Sequence, residues 1–301
     1  MPFRLNRIQQ ELHQRSTRRN VILKARKGGV SRYWLASFFA DAVVMSGQNV
    51  RIVLHDPDTA EEFWGDLQTM YESLPAHLRP KTRNYSQELI RFFDRIKGCV
   101  DSRISIQTVQ PGKEHKGRGK AITHLHCSEV PFWPGDARKA FTSLLEAADT
   151  GIVVLESTAG GIEEFHRIYS QAKEGKANWQ RFFLEWWWKA DYQLDGARLV
   201  EHAGRWYLLA PGEQFDADNP GLEISQREKW VCWRVRNHLR RIGVLLGDYT
   251  PWWSSHVAPY LAWRRNKIEE IGDETFVVEY PELDTECFAL TGRPVVAHRY
   301  L

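Results

Sequence analysis

The sequence predicts an α/β fold, a mostly parallel sheet flanked by helices, and three observations carry that prediction. Short apolar, β-rich runs recur at 20–25, 50–54, 104–109, 121–127 and 152–156. Helix-like stretches at 31–45, 59–73, 137–148 and 162–173 lie between or after several of them. Strands alternating with helices imply parallel pairing, because joining parallel neighbours needs a crossover long enough to hold a helix. Third, three runs end in polar or glycine-bearing tips, KARKGGVS, SEVPFW and STAGG. In a parallel sheet such carboxyl ends share one edge, where ligands bind.

Taken in order, the elements fill 301 residues, a length that suits one large domain or two modest ones. Hydrophobic residues at 43% and charged residues at 26% describe a globular chain with a substantial core. No run approaches the roughly 20 apolar residues of a membrane span. The opening stretch, MPFRLNRIQQELHQRSTRRN, lacks an apolar signal core and reads as a polar helix. Cys99, Cys127, Cys232 and Cys287 lie far apart without a C-x-x-C pair, which argues against a disulfide framework or zinc site and suits a reducing compartment.

The first strand leads directly into the first of the polar tips. A phosphate loop, or Walker A motif, reads G-x-x-x-x-G-K-[ST]. Gly29 and Ser31 fit that template, whereas Lys24 occupies the first glycine slot and Val30 the lysine slot. The context is right, an apolar strand before and a helix from about Ser31. A helix N-terminus favours anions, Gly28 and Gly29 allow a phosphate close to the backbone, and Ser31 can ligate magnesium. The missing charge is assigned to Lys24 at the loop entrance, or to Arg26 or Arg32. Lys24, Ala25, Arg26, Lys27, Gly28, Gly29, Val30, Ser31 and Arg32 together form the candidate ATP-binding loop; the competing reading is a basic turn that binds nothing.

Between the strands at 50–54 and 121–127 the pattern departs from alternation. Residues 84–94 and 102–109 read as two adjacent strands, an antiparallel insertion. The strand at 121–127 then ends in Ser128-Glu129, a Walker B candidate. Glu129 is placed to polarise an attacking water, and Ser128 stands where an aspartate usually supports magnesium; its hydroxyl can still bond a metal-bound water. The strand at 152–156 ends in Ser157-Thr158 before glycines, a tip able to sense a γ-phosphate and pass that on through a loop.

Beyond Trp186 the pattern changes. Residues 199–215 read as a hairpin turning near Ala203-Gly204, and 223–241 and 259–271 as helices. A boundary near 190 divides an ATPase core, 1–190, from a smaller lid or linker lobe, 191–301. Trp186, Trp187 and Trp188 are consecutive, so they are not expected to face one core; packing between layers or lobes is expected, with base stacking the alternative. The net charge of +3 says nothing of polyanions, but RSTRR (15–19), KARK (24–27), KEHKGRGK (113–120) and RVRNHLRR (234–241) suit phosphate contacts.

In order, FRLNRIQQEL, KARKGGVS, HLHCSEVPFW, LESTAGG, FFLEWWWKADY and FVVEYPELDTECFALTGRP resemble the ATPase module of the large terminase subunit, the DNA-packaging motor of tailed bacteriophages. The resemblance spans residues 3–293. It implies a P-loop NTPase fold of the ASCE type and a deviant loop whose basic residue has moved to the front, which fits Lys24, with Arg26 a second candidate. It also implies that Gln9 reads adenine, Glu129 is the catalytic glutamate and Ser157-Thr158 the coupling motif. An arginine acting in trans is expected, and Arg118 is the candidate. The implied cofactors are ATP and Mg2+. The implied partners are double-stranded DNA, the portal protein and the small terminase subunit, with a homo-oligomeric ring of five on the portal. The implied location is the host cytoplasm, at the procapsid portal, with no membrane. Complete large terminases continue into an RNase H-like nuclease, and no strand-borne set of aspartates follows Asp284 and Glu286, so nuclease activity is not expected of this chain. Two other readings stay open: a helicase-like DNA-dependent ATPase, and a degenerate, non-hydrolysing DNA-binding or docking subunit, motivated by Val30 and Ser128.

Overall fold

Local signals set the helix starts. Asn6 and Gln9 close a reciprocal capping box at α1 (Arg7–Arg15), and Asp56 accepts the Thr59 N–H ahead of Pro57 at the start of α3 (Pro57–Ser73). Between them lie β1 (Arg19–Lys24), α2 (Val30–Val44) and β2 (Asn49–Leu54). The computed structural model describes residues 4–86, 88–94, 99–109, 121–134, 137–160, 164–244, 253 and 255–289.

The chain continues through β3 (Thr82–Ser86), β4 (Leu89–Asp94), β5 (Cys99–Thr108), β6 (His124–Ser128), α4 (Ala137–Ala147), β7 (Ile152–Ser157), α5 (Glu164–Lys173) and β8 (Gln180–Leu184). The eight strands form one sheet in the order β3-β4-β5-β2-β6-β7-β1-β8. In the sheet order from β5 to β8 every neighbouring pair is parallel, and β4 pairs antiparallel with both β3 and β5. The expected α/β architecture is the observed one. The antiparallel insertion is present but has one strand more than expected, because 84–94 folds back on itself between Ser86 and Leu89. Placing β7 between β6 and β1 separates the glycine loop from the strand carrying Ser128 and Glu129.

Strands buried on both faces alternate between two apolar layers. Ile22 and Val154 point into a layer with Phe38 of α2 and Trp64 of α3. Val21, Leu23, Leu125, Cys127, Val153 and Leu155 point the other way, toward Phe141 of α4 and Phe165 of α5.

After β8 the described residues form a 3₁₀ turn, Trp186–Trp188, the hairpin β9 (Arg198–His202) and β10 (Arg205–Leu209), and the helices α6 (Gln226–Arg241), α7 (Ala258–Ile271), α8 (Asp273–Glu279) and α9 (Asp284–Ala289). The hairpin turns at Ala203 (φ 50°) and Gly204 (φ 76°), two left-handed residues that match the twist of the flanking strands. The three tryptophans depart from expectation. All are buried in one continuous apolar cluster, because the tight turn splays successive rings while the C-terminal helices wrap around them. Trp186 meets Tyr260, Trp263 and Phe276, and Trp188 meets His238. Rings buried this way are not available to stack on bases. Phe288 of α9 returns to pack on Phe165 and Tyr169 of α5. Cys127, Cys232 and Cys287 are buried free thiols, and no described helix is long and apolar enough to cross a membrane.

Candidate active site

The loop between β1 and α2 is held from behind by α1. Gly29 adopts φ 78° and caps α2, and a Cβ there would sit 3.0 Å from the Gln9 side-chain nitrogen. A Cβ on Gly28 would sit 2.9 Å from Ile8 Cδ1. Gly29 is therefore demanded by its left-handed backbone, whereas at Gly28 only the tip of the Ile8 side chain would have to give way. Asn6 Nδ2 donates to the Gly28 carbonyl (3.2 Å) and Gln9 Nε2 to the Gly29 carbonyl (3.0 Å), while Gln9 Oε1 accepts the Asn6 N–H. Gln9 thus lies against the loop with both ends of its amide engaged.

The three candidates for the missing positive charge separate in space. Arg32 turns to α3 and pairs with Asp66 (2.7 Å). Arg26 pairs with Glu279 of α8 (2.6 Å), its N–H donates to the Glu279 carbonyl, and its own carbonyl accepts from Tyr192. Lys24 alone points into the sheet edge. Ala25 extends the β1–β8 ladder by donating to Leu184, Val30 is core, and Lys27 is exposed at φ 55°.

Lys24 meets two carboxylates. Its Nζ lies 2.9 Å from Glu129 Oε1 and 3.2 Å from Glu156 Oε2. Glu156 Oε1 accepts from Ser31 Oγ (2.5 Å) and faces His126 Nε2 (3.2 Å). Glu129 Oε2 accepts from Ser157 Oγ (2.7 Å) and from the Thr158 N–H (3.2 Å). Strand periodicity builds this set. His126 and Ser128 are two apart on β6, Ser128 is in register with Glu156 on β7, and Glu156 is in register with Ile22, two before Lys24. Residues in register share a face, so all four side chains project toward α2 and Ser31. Glu129 follows β6 in a left-handed conformation (φ 52°, ψ 44°) and its N–H donates to the Glu156 carbonyl. That conformation costs about 1–2 kcal/mol in a residue with a Cβ. It turns the carboxylate across the strand ends.

Electrostatics fix the charge states. Burial opposes ionisation of Lys24, but Glu129 and Glu156 outweigh it and hold its ammonium above the ordinary lysine range. Burial likewise opposes the Glu156 carboxylate, and Lys24, His126 and Ser31 outweigh it and hold it below the ordinary glutamate range. Glu279 lies close enough to feel Glu129; burial and that neighbour raise its pKa against the pull of Arg26 and Lys24. Two carboxylates against one ammonium leave a net negative charge, and Glu156 Oε2 is buried in contact with Lys24 but outside hydrogen-bond geometry. That donor set, with the Ser31 hydroxyl at the helix start, fits a hard divalent cation beside a phosphate chain.

Of the sequence candidates, the structure brings together Lys24, Ser31, Ser128, Glu129, Ser157 and Thr158. Arg118 lies outside the described residues. Glu156, His126 and Glu279 were missed. A lone glutamate in the apolar run VVLES was the available signal for Glu156, since an acid in a strand buried on both faces requires a partner.

Among solved structures, the chain is similar to the large terminase ATPase domain of Thermus phage P74-26, at 14% identity and a TM-score of 0.54, covering 92% of this chain and 93% of that one. It is also similar to the large terminase of bacteriophage HK97, at 14% identity and a TM-score of 0.50, where 93% of this chain aligns with 50% of that longer one. At these identities the likeness is one of fold. No family model matches the chain, and no curated protein matches it.

Proposed function

We propose that this chain is the ATP-hydrolysing motor module of a viral large terminase, driving double-stranded DNA into a procapsid. The observation that supports it is one ammonium, Lys24, set between two carboxylates at adjacent strand ends beside a glycine loop. That arrangement sits on a fold shared with large terminase ATPase domains.

The residues present suit phosphoryl transfer to water. An incoming triphosphate competes with Glu129 and Glu156 for Lys24, so binding releases Glu129 Oε1 while Oε2 stays anchored on Ser157 and Thr158. The freed carboxylate is then placed to accept the proton of the attacking water. Ser31 would supply a hydroxyl for magnesium, which would contribute positive charge against the phosphate oxygens. Because Glu129 is bonded to Ser157 and Thr158, its rearrangement is felt at the tip of β7, the proposed coupling motif. Gln9 can read adenine only by exchanging one of its bonds to Asn6 or Gly29. The 191–301 lobe is assigned the lid role, with Glu279 as its contact to Arg26. The portal, the small terminase subunit and a five-membered ring, with Arg118 acting in trans, complete the proposal.

The test is ATP turnover with double-stranded DNA and portal, measured for the wild type, Glu129→Gln and Lys24→Ala. Turnover by the wild type, lost in Glu129→Gln with nucleotide binding retained, supports the reading. Hydrolysis by Glu129→Gln at the parental rate removes Glu129 from its role. A wild type that binds ATP but never hydrolyses it, even with DNA and portal, favours the docking-subunit reading, and duplex unwinding without portal favours the helicase-like one.

A further inference from the structure

The pair Ser128-Glu129 lacks an acid where a phosphate-loop enzyme usually has one, and the structure contains a replacement. Ser128 of β6 and Glu156 of β7 are directly in register and share a face. Neighbouring strands lie about 4.8 Å apart, so a carboxylate on either strand reaches the same space. Glu156 already accepts a hydrogen bond from Ser31 Oγ, the hydroxyl that faces magnesium in such sites. We propose that the acid has moved one strand sideways: Glu156 is the positioning residue that holds Ser31 and the water shell of magnesium, in place of an aspartate at 128. This rests on the nucleotide-hydrolysing reading above and deepens it.

Three further observations support the exchange. Glu156 is completely buried at the end of an apolar run, Ile152 to Leu155, a costly place for a carboxylate without a specific task. His126, also buried, points Nε2 at Glu156 Oε1; a carboxylate only accepts, so that nitrogen carries the proton and fixes the oxygen that meets Ser31. The other oxygen faces Lys24, which the phosphate chain of a bound nucleotide would draw away, freeing Oε2 for a metal-bound water. Among the described residues no three His, Cys, Asp or Glu side chains are arranged to hold a metal alone. A magnesium ion here would rest on phosphate, Ser31 and water, the case in which one well-placed acceptor for that water matters most.

The test is the metal dependence of nucleotide binding, read by calorimetric titration of ADP with Mg2+ and with EDTA. The proteins are the wild type, Glu156→Gln, and the transposed pair Ser128→Asp with Glu156→Ser. Wild type is expected to bind ADP more tightly with magnesium. Glu156→Gln is expected to lose about 10-fold or more of that advantage, read as the ratio of its own affinities with and without metal. The transposed pair is expected to regain it, which no merely structural role for Glu156 would produce. Unchanged metal dependence in Glu156→Gln overturns the proposal, as does a folded transposed pair that binds ADP without any metal advantage. If either variant fails to fold, wild-type protein crystallised with Mg2+ and ADP decides: a metal-bound water on Glu156 supports the proposal, and a metal whose waters rest on other residues overturns it. A wild type that binds no nucleotide at all sinks the functional reading itself, a result distinct from these.

Discussion

Two buried ionic clusters in this molecule look alike in composition and differ in balance. Behind the three tryptophans, Glu282 is buried and receives Arg264 at 2.7 Å, Arg227 at 3.0 Å and the Trp186 indole N–H at 3.1 Å, while Arg227 also grips Glu286. Two guanidiniums meet two carboxylates, and both Glu282 oxygens accept hydrogen bonds. At the strand ends, one ammonium serves two carboxylates, and Glu156 Oε2 has ion-pair contact only. A balanced, fully bonded cluster fixes how helices pack. An unbalanced one stores an electrostatic deficit that a ligand can satisfy.

The largest expected effect breaks the unbalanced cluster at Glu129, its proposed base. Glu129→Gln should lower ATP hydrolysis by about 10²–10⁴-fold and leave the melting temperature nearly unchanged, as read by phosphate release and by thermal unfolding. Removing the shared cation comes next. Lys24→Ala leaves two carboxylates facing each other and should cost about 3–5 kcal/mol in urea unfolding.

The sign of its pH dependence should also invert. In the wild type, Glu156 is held below its ordinary value of 4.5, so its contribution is present above that value and lost as the pH falls. Without Lys24, burial is opposed only by His126 and Ser31, so the Glu156 pKa should rise and stability should increase as the pH falls through its raised value. A variant that weakens on acidification, as the wild type does, would refute this account.

The balanced cluster should respond in the opposite way. Glu282→Ala strands the buried Arg264, at a cost of about 3 kcal/mol. Acid should not recover that loss, because a guanidinium cannot give up its proton in this range. ADP affinity, measured by calorimetry, should stay at the wild-type value. The smallest effect is expected at the seam between the two regions. Arg26→Ala removes a largely exposed ion pair to Glu279 and should change stability by less than about 1 kcal/mol. A turnover loss far beyond that would place Arg26 among the groups that contact phosphate.

Much of the scaffold was legible because it is written locally. The alternation of apolar runs with helix-length stretches gave the parallel sheet, and Ala203-Gly204 gave the hairpin turn. The tips of β1, β6 and β7 gave Lys24, Ser31, Glu129, Ser157 and Thr158. The errors came where distant segments decide. Three consecutive tryptophans enter one core only because helices distant in sequence, α7 and α8, pack around them, which no local pattern records. The extra strand within 84–94 was hidden because Ser86 and Leu89, close in sequence, are themselves partners across the two strands.

By itself the sequence determined which residues stand at strand ends and which face the apolar layers, since a period of two or 3.6 is carried by neighbours a few positions apart. Only the tertiary structure decided that Glu156, 125 positions from Ser31, holds that hydroxyl, and that Lys24 rather than Arg26 or Arg32 faces the carboxylates. Register between strands that meet only through crossover helices sets those partners. Charge acts through space over a few ångströms, and no local pattern records which strands will lie side by side.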